Sequence, residues 1–194
     1  MNIEKAEEYV FEKLEESLSD TLFYHGLHHT VDVVNAALRL SIAEGIHDRD
    51  ALLLLQTAAL YHDLGFISTY RGHETESCRI ARVSLPDFGY NDADINKICG
   101  MIMATKIPQS PTNHLERILA DADLDYLGRE DFWPISTSLY EELREREMVT
   151  DLHSWNQLQI VFLEKHEYWT ETAKQWRNEA KLKRIEELKA MVKP

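Results

Sequence analysis

Apolar residues recur along most of the chain at spacings of three and four, which is the period of an amphipathic α-helix. Short polar breaks that contain glycine or proline separate these stretches and have the length of turns between helices. The pattern therefore predicts an all-α protein. The predicted helices lie near residues 3–18, 28–44, 49–64, 73–85, 91–104, 113–127, 132–148, 154–168 and 171–191.

One segment of this pattern differs from the rest. The run from Ala51 to Leu60 is apolar around most of the helix circumference. Neighbouring elements bury such a helix on all sides, so we expect it at the centre of the core. His62 and Asp63 follow it directly, and ionisable side chains in such surroundings need partners or a metal ion.

The length of 194 residues is typical of one domain, and we interpret residues 1–194 as a single domain. The 34 acidic and 21 basic residues give a net charge of −13, which argues against binding to a nucleic-acid duplex. No apolar stretch has the length needed to cross a bilayer, and the charged N-terminal segment is unlike a signal peptide. Cys78 and Cys99 lie among apolar neighbours and predict buried free thiols. We therefore expect a cytoplasmic protein without a membrane partner.

Two His-Asp pairs occur in the chain. His47 and Asp48 lie in a polar turn before a predicted helix, where turn formation and helix capping explain them. His62 instead continues the apolar stripe through Leu55 and Ala58, so it faces the interior. Only the second pair therefore calls for a chemical explanation.

Two further predicted helices each direct one polar side chain inward. His29 begins an apolar stripe, whereas its neighbour His28 faces elsewhere. On a later helix, Asp123 adjoins the apolar stripe. Helical phase therefore selects Asp123 as the inward carboxylate and predicts that Asp121 and Asp125 are solvated.

The inward set consists of two imidazoles and two carboxylates, from His29, His62, Asp63 and Asp123. Mixed nitrogen and oxygen ligands suit manganese, iron, cobalt, nickel or zinc and leave positions for water and substrate. The alternative is that the histidines are hydrogen-bonded core residues and that Asp123 pairs with a lysine or arginine.

The order of these residues resembles the HD-domain superfamily of metal-dependent phosphohydrolases. In that family a histidine is followed by an adjacent His-Asp pair and then by a distant aspartate. The flanking segments 24–30 (YHGLHHT), 59–65 (ALYHDLG) and 118–124 (ILADADL) are similar as well. The resemblance covers about residues 20–130 and implies a compact helical bundle with a metal-binding core. Residues 131–194 would then form a C-terminal helical extension.

What the resemblance implies is one divalent transition metal held by His29, His62, Asp63 and Asp123. The activity it implies is hydrolysis of a phosphoester in a small phosphorylated molecule, with a nucleotide as the favoured substrate. The alternative is a non-catalytic sensor of the same fold that binds metal and nucleotide. The walls of the pocket, more than the metal ligands, determine the substrate.

The resemblance also implies roles for three residues beside the metal. Asp63 would orient the attacking water. His25 lies four residues before His29, where cyclic-nucleotide phosphodiesterases keep a histidine that protonates the leaving oxygen; helix capping is the alternative. His73 matches a His-Glu position that contacts substrate phosphate or a second metal. Its alternative is an N-terminal capping arrangement with Glu74 in the first turn.

Departures from the family pattern narrow these expectations. Residues 104–106 (ATK) lack the histidine that two-metal members usually carry, which favours a mononuclear site. Phe66 replaces the lysine of the cyclic-dinucleotide branch, and residues 64–67 (LGFI) lack the Glu-Asp pair of the alarmone hydrolases. Lys106 and Arg71 are the best local cations for a phosphate, although such surface residues are usually only solvated.

The extension carries every tryptophan of the chain. They are Trp133, Trp155, Trp169 and Trp176, on amphipathic helices without ligand-like clustering. The preferred interpretation is an extension that packs against the core. A homodimer face formed by Trp176 with Ala173 and Ala180 is the alternative.

Overall fold

The architecture is that of a computed structural model, which describes residues 1–193. Nine α-helices and three short 3₁₀ turns make up the secondary structure of this range, without a strand. The all-α prediction is therefore confirmed. The helices are α1 (Ile3–Ser17), α2 (Leu27–Ala43), α3 (Arg49–Tyr61), α4 (His73–Ser84), α5 (Asp92–Thr105), α6 (His114–Asp123), α7 (Phe132–Glu145), α8 (Leu152–Lys165) and α9 (Glu171–Val192).

Polar side chains fix the starts of most of these helices. At each such start, the side chain of the preceding residue accepts a hydrogen bond from a backbone N–H of the first turn. Asp48 does so for α3, at 2.7 Å from the amide nitrogen of Ala51, which confirms the capping interpretation of the first His-Asp pair. The other caps of this kind are Asn2, Asn91, Asn113, Asp151 and Thr170.

Helix α3 lies at the centre of the main core, as its composition predicts. Leu55, Ala58 and Ala59 are fully buried, and α3 contacts α1, α2, α4, α5 and α6. Cys78 and Cys99, on α4 and α5, are buried in the same core as free thiols. Burial of this apolar surface is what holds the six helices together.

The C-terminal helices build a second, smaller core. Phe132, Leu163 and Leu188 come from α7, α8 and α9 and are almost completely buried. They pack against Tyr126 and Leu127 of the 3₁₀ turn that follows α6. This turn therefore joins the second core to the end of α6.

Two buried carboxylates hold α9 against this junction. Asp121 accepts hydrogen bonds from the backbone of Trp169 and from both the backbone and the hydroxyl of Thr170, at 2.7–2.8 Å. Asp125 accepts two from the guanidinium of Arg177, at 2.6 and 3.0 Å. The prediction that these aspartates are solvated is wrong, since they are 0% and 2% exposed. The extension covers the polar face of α6, and the phase of a single helix gives no sign of this.

Helices α3 and α6 end earlier than their periodicity predicts, at Tyr61 and Asp123 instead of residues 64 and 127. Each is followed closely by a 3₁₀ turn, Leu64–Ile67 and Asp125–Gly128. The hydroxyl of Ser77 on α4 fixes the first turn: it donates to the carbonyl of His62 and accepts from the amide of Gly65, both at 2.8 Å. A tertiary contact therefore sets the end of α3.

The dimer face suggested for the extension is wrong in one residue. Ala173 is fully buried in the main core, so it is inaccessible to a second chain. Trp176 is 43% exposed. Within the described part of the chain, no helix combines the length and apolar character needed to traverse a bilayer.

Gly65 provides a test of the junction between α3 and α4. A Cβ atom at this position would overlap the carbonyl oxygen of His73 and lie 2.9 Å from the amide nitrogen of Ser77. Backbone atoms cannot move aside as a flexible side chain can. We expect Gly65→Ala to lower the free energy of unfolding by about 3 kcal/mol or more, measured by urea denaturation followed by circular dichroism.

Gly45→Ala is the matched control. Gly45 has a φ of +74°, but no atom lies within 4 Å of the position that an added methyl group would occupy. The cost of this substitution should be limited to the backbone strain, about 1 kcal/mol. Equal losses in the two variants would show that close packing of this turn is not what Gly65 provides.

Candidate metal centre and active site

Four side chains from three helices meet at one end of the main core. His29 lies in the first turn of α2, His62 and Asp63 follow α3, and Asp123 is the last residue of α6. The ligand atoms of His29, His62 and Asp123 all lie within 4.8 Å of one another. The nearer carboxylate oxygen of Asp63 is 3.2 Å from Nε2 of His62 and 3.4 Å from Nε2 of His29. The structure therefore brings the four predicted metal ligands together.

The charged side chains of the cluster shift one another's pKa values. Burial alone would lower the pKa of the His62 imidazole, but the two carboxylates outweigh burial and raise that pKa well above its usual value. Burial likewise favours the neutral acid at Asp123, yet His29 and His62 hold its pKa down to about 2. The carboxylates thus stay ionised and require positive charge beside them, from protons on the imidazoles or from a metal ion.

The geometry of the nitrogen donors fits a metal ion. Nδ1 of His62 donates to the carbonyl oxygen of Ala59 at 2.8 Å, which leaves the lone pair on Nε2 for a ligand. The Nε2 atoms of His29 and His62 are 3.4 Å apart. Two metal–nitrogen bonds of about 2.1 Å span at most about 4.2 Å, so one ion can contact both.

His73 extends the cluster on the side of Asp63. Its Nε2 is 3.3 Å from Oδ1 of Asp63, and its Nδ1 is 3.2 Å from the carbonyl oxygen of Tyr70. The N-cap residue of α4 is Gly72, and no side chain caps this helix. The imidazole of His73 therefore faces the cluster instead of capping its own helix.

Glu74, the next residue, is 7% exposed, and its Oε2 has no hydrogen-bond partner in the protein. Its other oxygen is 3.6 Å from Nε2 of His73. Burying a carboxylate oxygen without a donor is costly, so a bound ligand that supplies a donor would stabilise it.

His25 is held beside the cluster by a residue that sequence reasoning missed. Nδ1 of His25 forms a short hydrogen bond with Oε1 of Glu142. Oε2 of Glu142 accepts from the backbone amides of Tyr24 and His25, at 2.9 and 3.1 Å, and Tyr70 donates to Oε1 at 3.0 Å. The ring of His25 and the backbone amides of Tyr24 and His25 lower the pKa of Glu142 against the effect of its burial. Glu142 therefore fixes both the ring and the backbone of His25.

Capping does not explain His25, because the N-cap residue of α2 is Gly26. The ring of His25 instead stacks on Phe66, with 4.2 Å between the ring centroids, and lies 5.9 Å from the ring of His29. A signal for Glu142 does exist in the sequence. It follows Leu139 by three residues and so lies on the inward face of α7, where an unpaired carboxylate would be costly.

A cavity of about 430 Å³ opens onto the cluster. Asp63 and Asp123 line one end together with His25. Apolar side chains from α7 and α8 line the rest, among them Leu143 and Trp155. The cavity thus joins the acidic side chains of the cluster to a mainly apolar lining, much of which comes from the C-terminal extension.

Several other candidates lie away from this cavity. His28 is exposed, as its helical phase predicts, and Lys106 and Arg71 are exposed without lining the cavity. Ala104 occupies the place of the missing second-metal histidine and is buried. Neither Lys106 nor Arg71 is therefore placed to bind a phosphate group here.

The family model of the HD domain matches residues 26–125 of the chain. The chain belongs to the HD-domain family. Its HD domain contains His29, the His62-Asp63 pair and Asp123, whereas α7, α8 and α9 lie beyond the match.

A similar crystal structure is that of a predicted HD superfamily hydrolase from an uncultured Thermotogales bacterium. It is 21% identical in sequence, with a TM-score of 0.62, and the match covers 95% of this chain and 90% of that one. The similarity therefore extends the shared fold over the helices outside the HD domain. No curated protein matches the chain significantly in sequence.

Asp123 and Asp121 provide a matched pair of variants. We expect Asp123→Asn to weaken metal binding by an order of magnitude or more, because it removes an anionic ligand, while the fold persists. Asp121→Asn should keep the metal but lower the free energy of unfolding by about 1–3 kcal/mol, because an amide cannot accept from all three donors. Metal analysis and thermal denaturation of both proteins measure the two effects. A loss of metal from Asp121→Asn would contradict this assignment.

The two His-Asp pairs provide a second test. His62→Ala should abolish metal binding, because the remaining side chains leave the coordination incomplete. Asp48→Ala should leave the metal content unchanged and cost about 1 kcal/mol of stability through loss of the α3 cap. Metal content by mass spectrometry after dialysis distinguishes the pairs, and equal losses of metal would overturn the choice between them.

Proposed function

We propose that this HD-domain protein hydrolyses a phosphoester of a small molecule. One observation carries the proposal: the ligand atoms of His29, His62 and Asp123 cluster beside Asp63, and the two carboxylates of this cluster line a cavity that a fixed histidine also lines. The ligands would hold one divalent transition metal, chosen among manganese, iron, cobalt, nickel and zinc. Such an ion would lower the pKa of a coordinated water and neutralise charge on phosphoryl oxygens.

The metal ligands would also position the reacting groups. Asp63 contacts His29 and His62 with Oδ2 and His73 with Oδ1, so a single carboxylate links the metal site to the neighbouring imidazole. His73, at 19% side-chain exposure, can reach a phosphoryl oxygen from this side. Asp63 would therefore orient water, and His73 would bind the phosphoryl group.

His25 supplies the proton that the leaving group needs. Glu142 occupies its Nδ1, so Nε2 is the atom available for proton transfer. A carboxylate in this place also holds the ring in one orientation, which proton transfer to a bound leaving group requires. Glu142 thus acts as a positioning residue for His25.

The membership in the HD-domain family agrees with a hydrolase. The sequence-based expectation of a nucleotide substrate remains a prediction. A panel of phosphoesters assayed with each added metal tests the proposal directly. Turnover supports it, and metal-loaded protein that binds phosphoesters without cleaving any would identify a non-catalytic sensor instead.

The leaving group tests the role of His25. We expect His25→Ala to slow hydrolysis of an alkyl or ribose phosphoester by roughly 10²-fold or more, because the departing oxygen is poorly stabilised without a proton. An aryl phosphate with an acidic phenol needs no such proton and should be cleaved almost as before. Steady-state rates for the two substrate types measure this difference, and metal content should stay constant.

Glu142→Gln is the companion variant. It should slow hydrolysis of the alkyl substrate more than that of the aryl phosphate, because an amide cannot accept from all the donors that Glu142 holds and the ring of His25 is then less well oriented. If His25→Ala slowed the cleavage of both substrate types in the same proportion, the role of His25 would be structural. Loss of metal from His25→Ala would place it among the ligands.

A further inference from the structure

We propose that the substrate is a phosphate monoester of an uncharged, apolar alcohol, whose organic part occupies the apolar wall of the cavity. This inference rests on the proposed phosphoester hydrolysis and narrows its substrate class. In the reaction, water adds to phosphorus and the bond from phosphorus to the alcohol oxygen breaks. The alcohol leaves with one proton, and inorganic phosphate retains the other.

The lining of the cavity is of two unlike kinds. The acids Asp63, Glu74 and Asp123 belong to the metal cluster or lie next to it. Most of the other lining side chains are aliphatic or aromatic, and many of them come from the extension, including Leu143 and Phe162. At about 430 Å³ the cavity has the size of small-molecule sites, so one organic group of modest size can fill it.

Three of the polar side chains that line the cavity, those of Gln159, Trp155 and Thr105, are already bonded within the protein. Gln159 accepts from the hydroxyl of Ser136 at 2.6 Å, and that hydroxyl accepts from Nε1 of Trp155 at 3.2 Å. Thr105 donates to the carbonyl oxygen of Ile102 at 2.7 Å. A substrate with many hydroxyl groups would lose hydrogen bonds to water here without finding equivalent partners.

The charge of the lining also restricts the substrate. Within residues 1–193, no lysine or arginine lines the cavity. The guanidinium of Arg146 lies over the ring of Tyr70, a lining residue, but it donates to the carbonyl oxygens of Thr21 and Glu142. Each phosphate beyond the one at the metal would meet carboxylates without a compensating cation. Nucleoside di- and triphosphates are therefore poor candidates.

The exposed part of the cavity lining is apolar as well. Ile107, Met148 and Leu158 line the cavity and are 52%, 50% and 49% exposed. Apolar side chains grouped at the entrance of a pocket are typical of a site that an apolar ligand covers. The organic group of the substrate would thus extend from the phosphoryl position to this rim.

A series of alkyl phosphates tests the inference on the metal-loaded protein. Ethyl, butyl and hexyl phosphate share the phosphoryl group and have leaving groups of similar acidity. Glycerol phosphate and nucleoside mono- and triphosphates complete the series. We expect kcat/KM to rise about fourfold per added methylene, through KM, until the cavity is filled. Equal or better cleavage of glycerol phosphate or of the nucleotides would overturn the inference.

A second readout is independent of turnover. Butyl- and hexylphosphonate cannot be hydrolysed, and calorimetry gives their affinities directly. Leu158→Asn should reduce the preference for the longer phosphonate at least threefold with unchanged metal content, since the side chain lies at the rim and is not needed for the core. Leu182→Asn, at a 60% exposed position on α9 outside the cavity, should leave the preference unchanged.

The two measurements separate the two proposals. Cleavage of phosphoesters without any length preference in either measurement overturns the apolar substrate and leaves the hydrolase. A length preference in phosphonate binding without cleavage of any ester supports the apolar site and overturns the hydrolase. Loss of the preference in both asparagine variants would show that it does not arise at this cavity.

Discussion

Two carboxylates and two imidazoles at the edge of an apolar core impose the main constraint on this molecule. Isolated charges in such surroundings are strongly destabilising, so each must lie close to an opposite charge or a bound cation. The structure meets this demand by bringing the ends of α3 and α6 against the first turn of α2. The packing of these helices is therefore inseparable from the chemistry of the cluster.

The period of the apolar residues located this cluster because its members continue apolar stripes on their helices. His29, His62 and Asp123 all lie next to core positions, and a period of 3.6 residues identifies such neighbours. The same periodicity does not predict where α3 and α6 end. At the end of α3, contacts between the following turn and α4, such as that of Gly65 with Ser77, decide where the helix ends, and a local pattern carries no information about them.

The wrong predictions for Asp121 and Asp125 and the missing prediction for Glu142 have the same cause. Asp121 on α6 and Asp125 in the turn after it are covered by the start of α9 and the two residues before it. Glu142 meets His25 across 117 positions of the chain. Each of these three carboxylates is satisfied by donors from a distant segment. Buried acids of this kind connect the HD domain to the C-terminal helices with directional bonds. They fix the relative position of the two parts more narrowly than apolar contact alone would.

Two adjacent residues of α7, Glu142 and Leu143, have different roles. Glu142 forms hydrogen bonds with four groups: the backbone amides of Tyr24 and His25, the ring of His25 and the hydroxyl of Tyr70. Leu143, the next residue, lines the cavity with an apolar side chain. The cluster ligands, in contrast, come from other helices altogether. Leu143 and its neighbours on α8 can therefore change size or shape during evolution without disturbing the ligands, provided that Glu142 is kept. The same HD domain could in this way acquire a new substrate through exchanges within two helices that contribute no ligand to its metal.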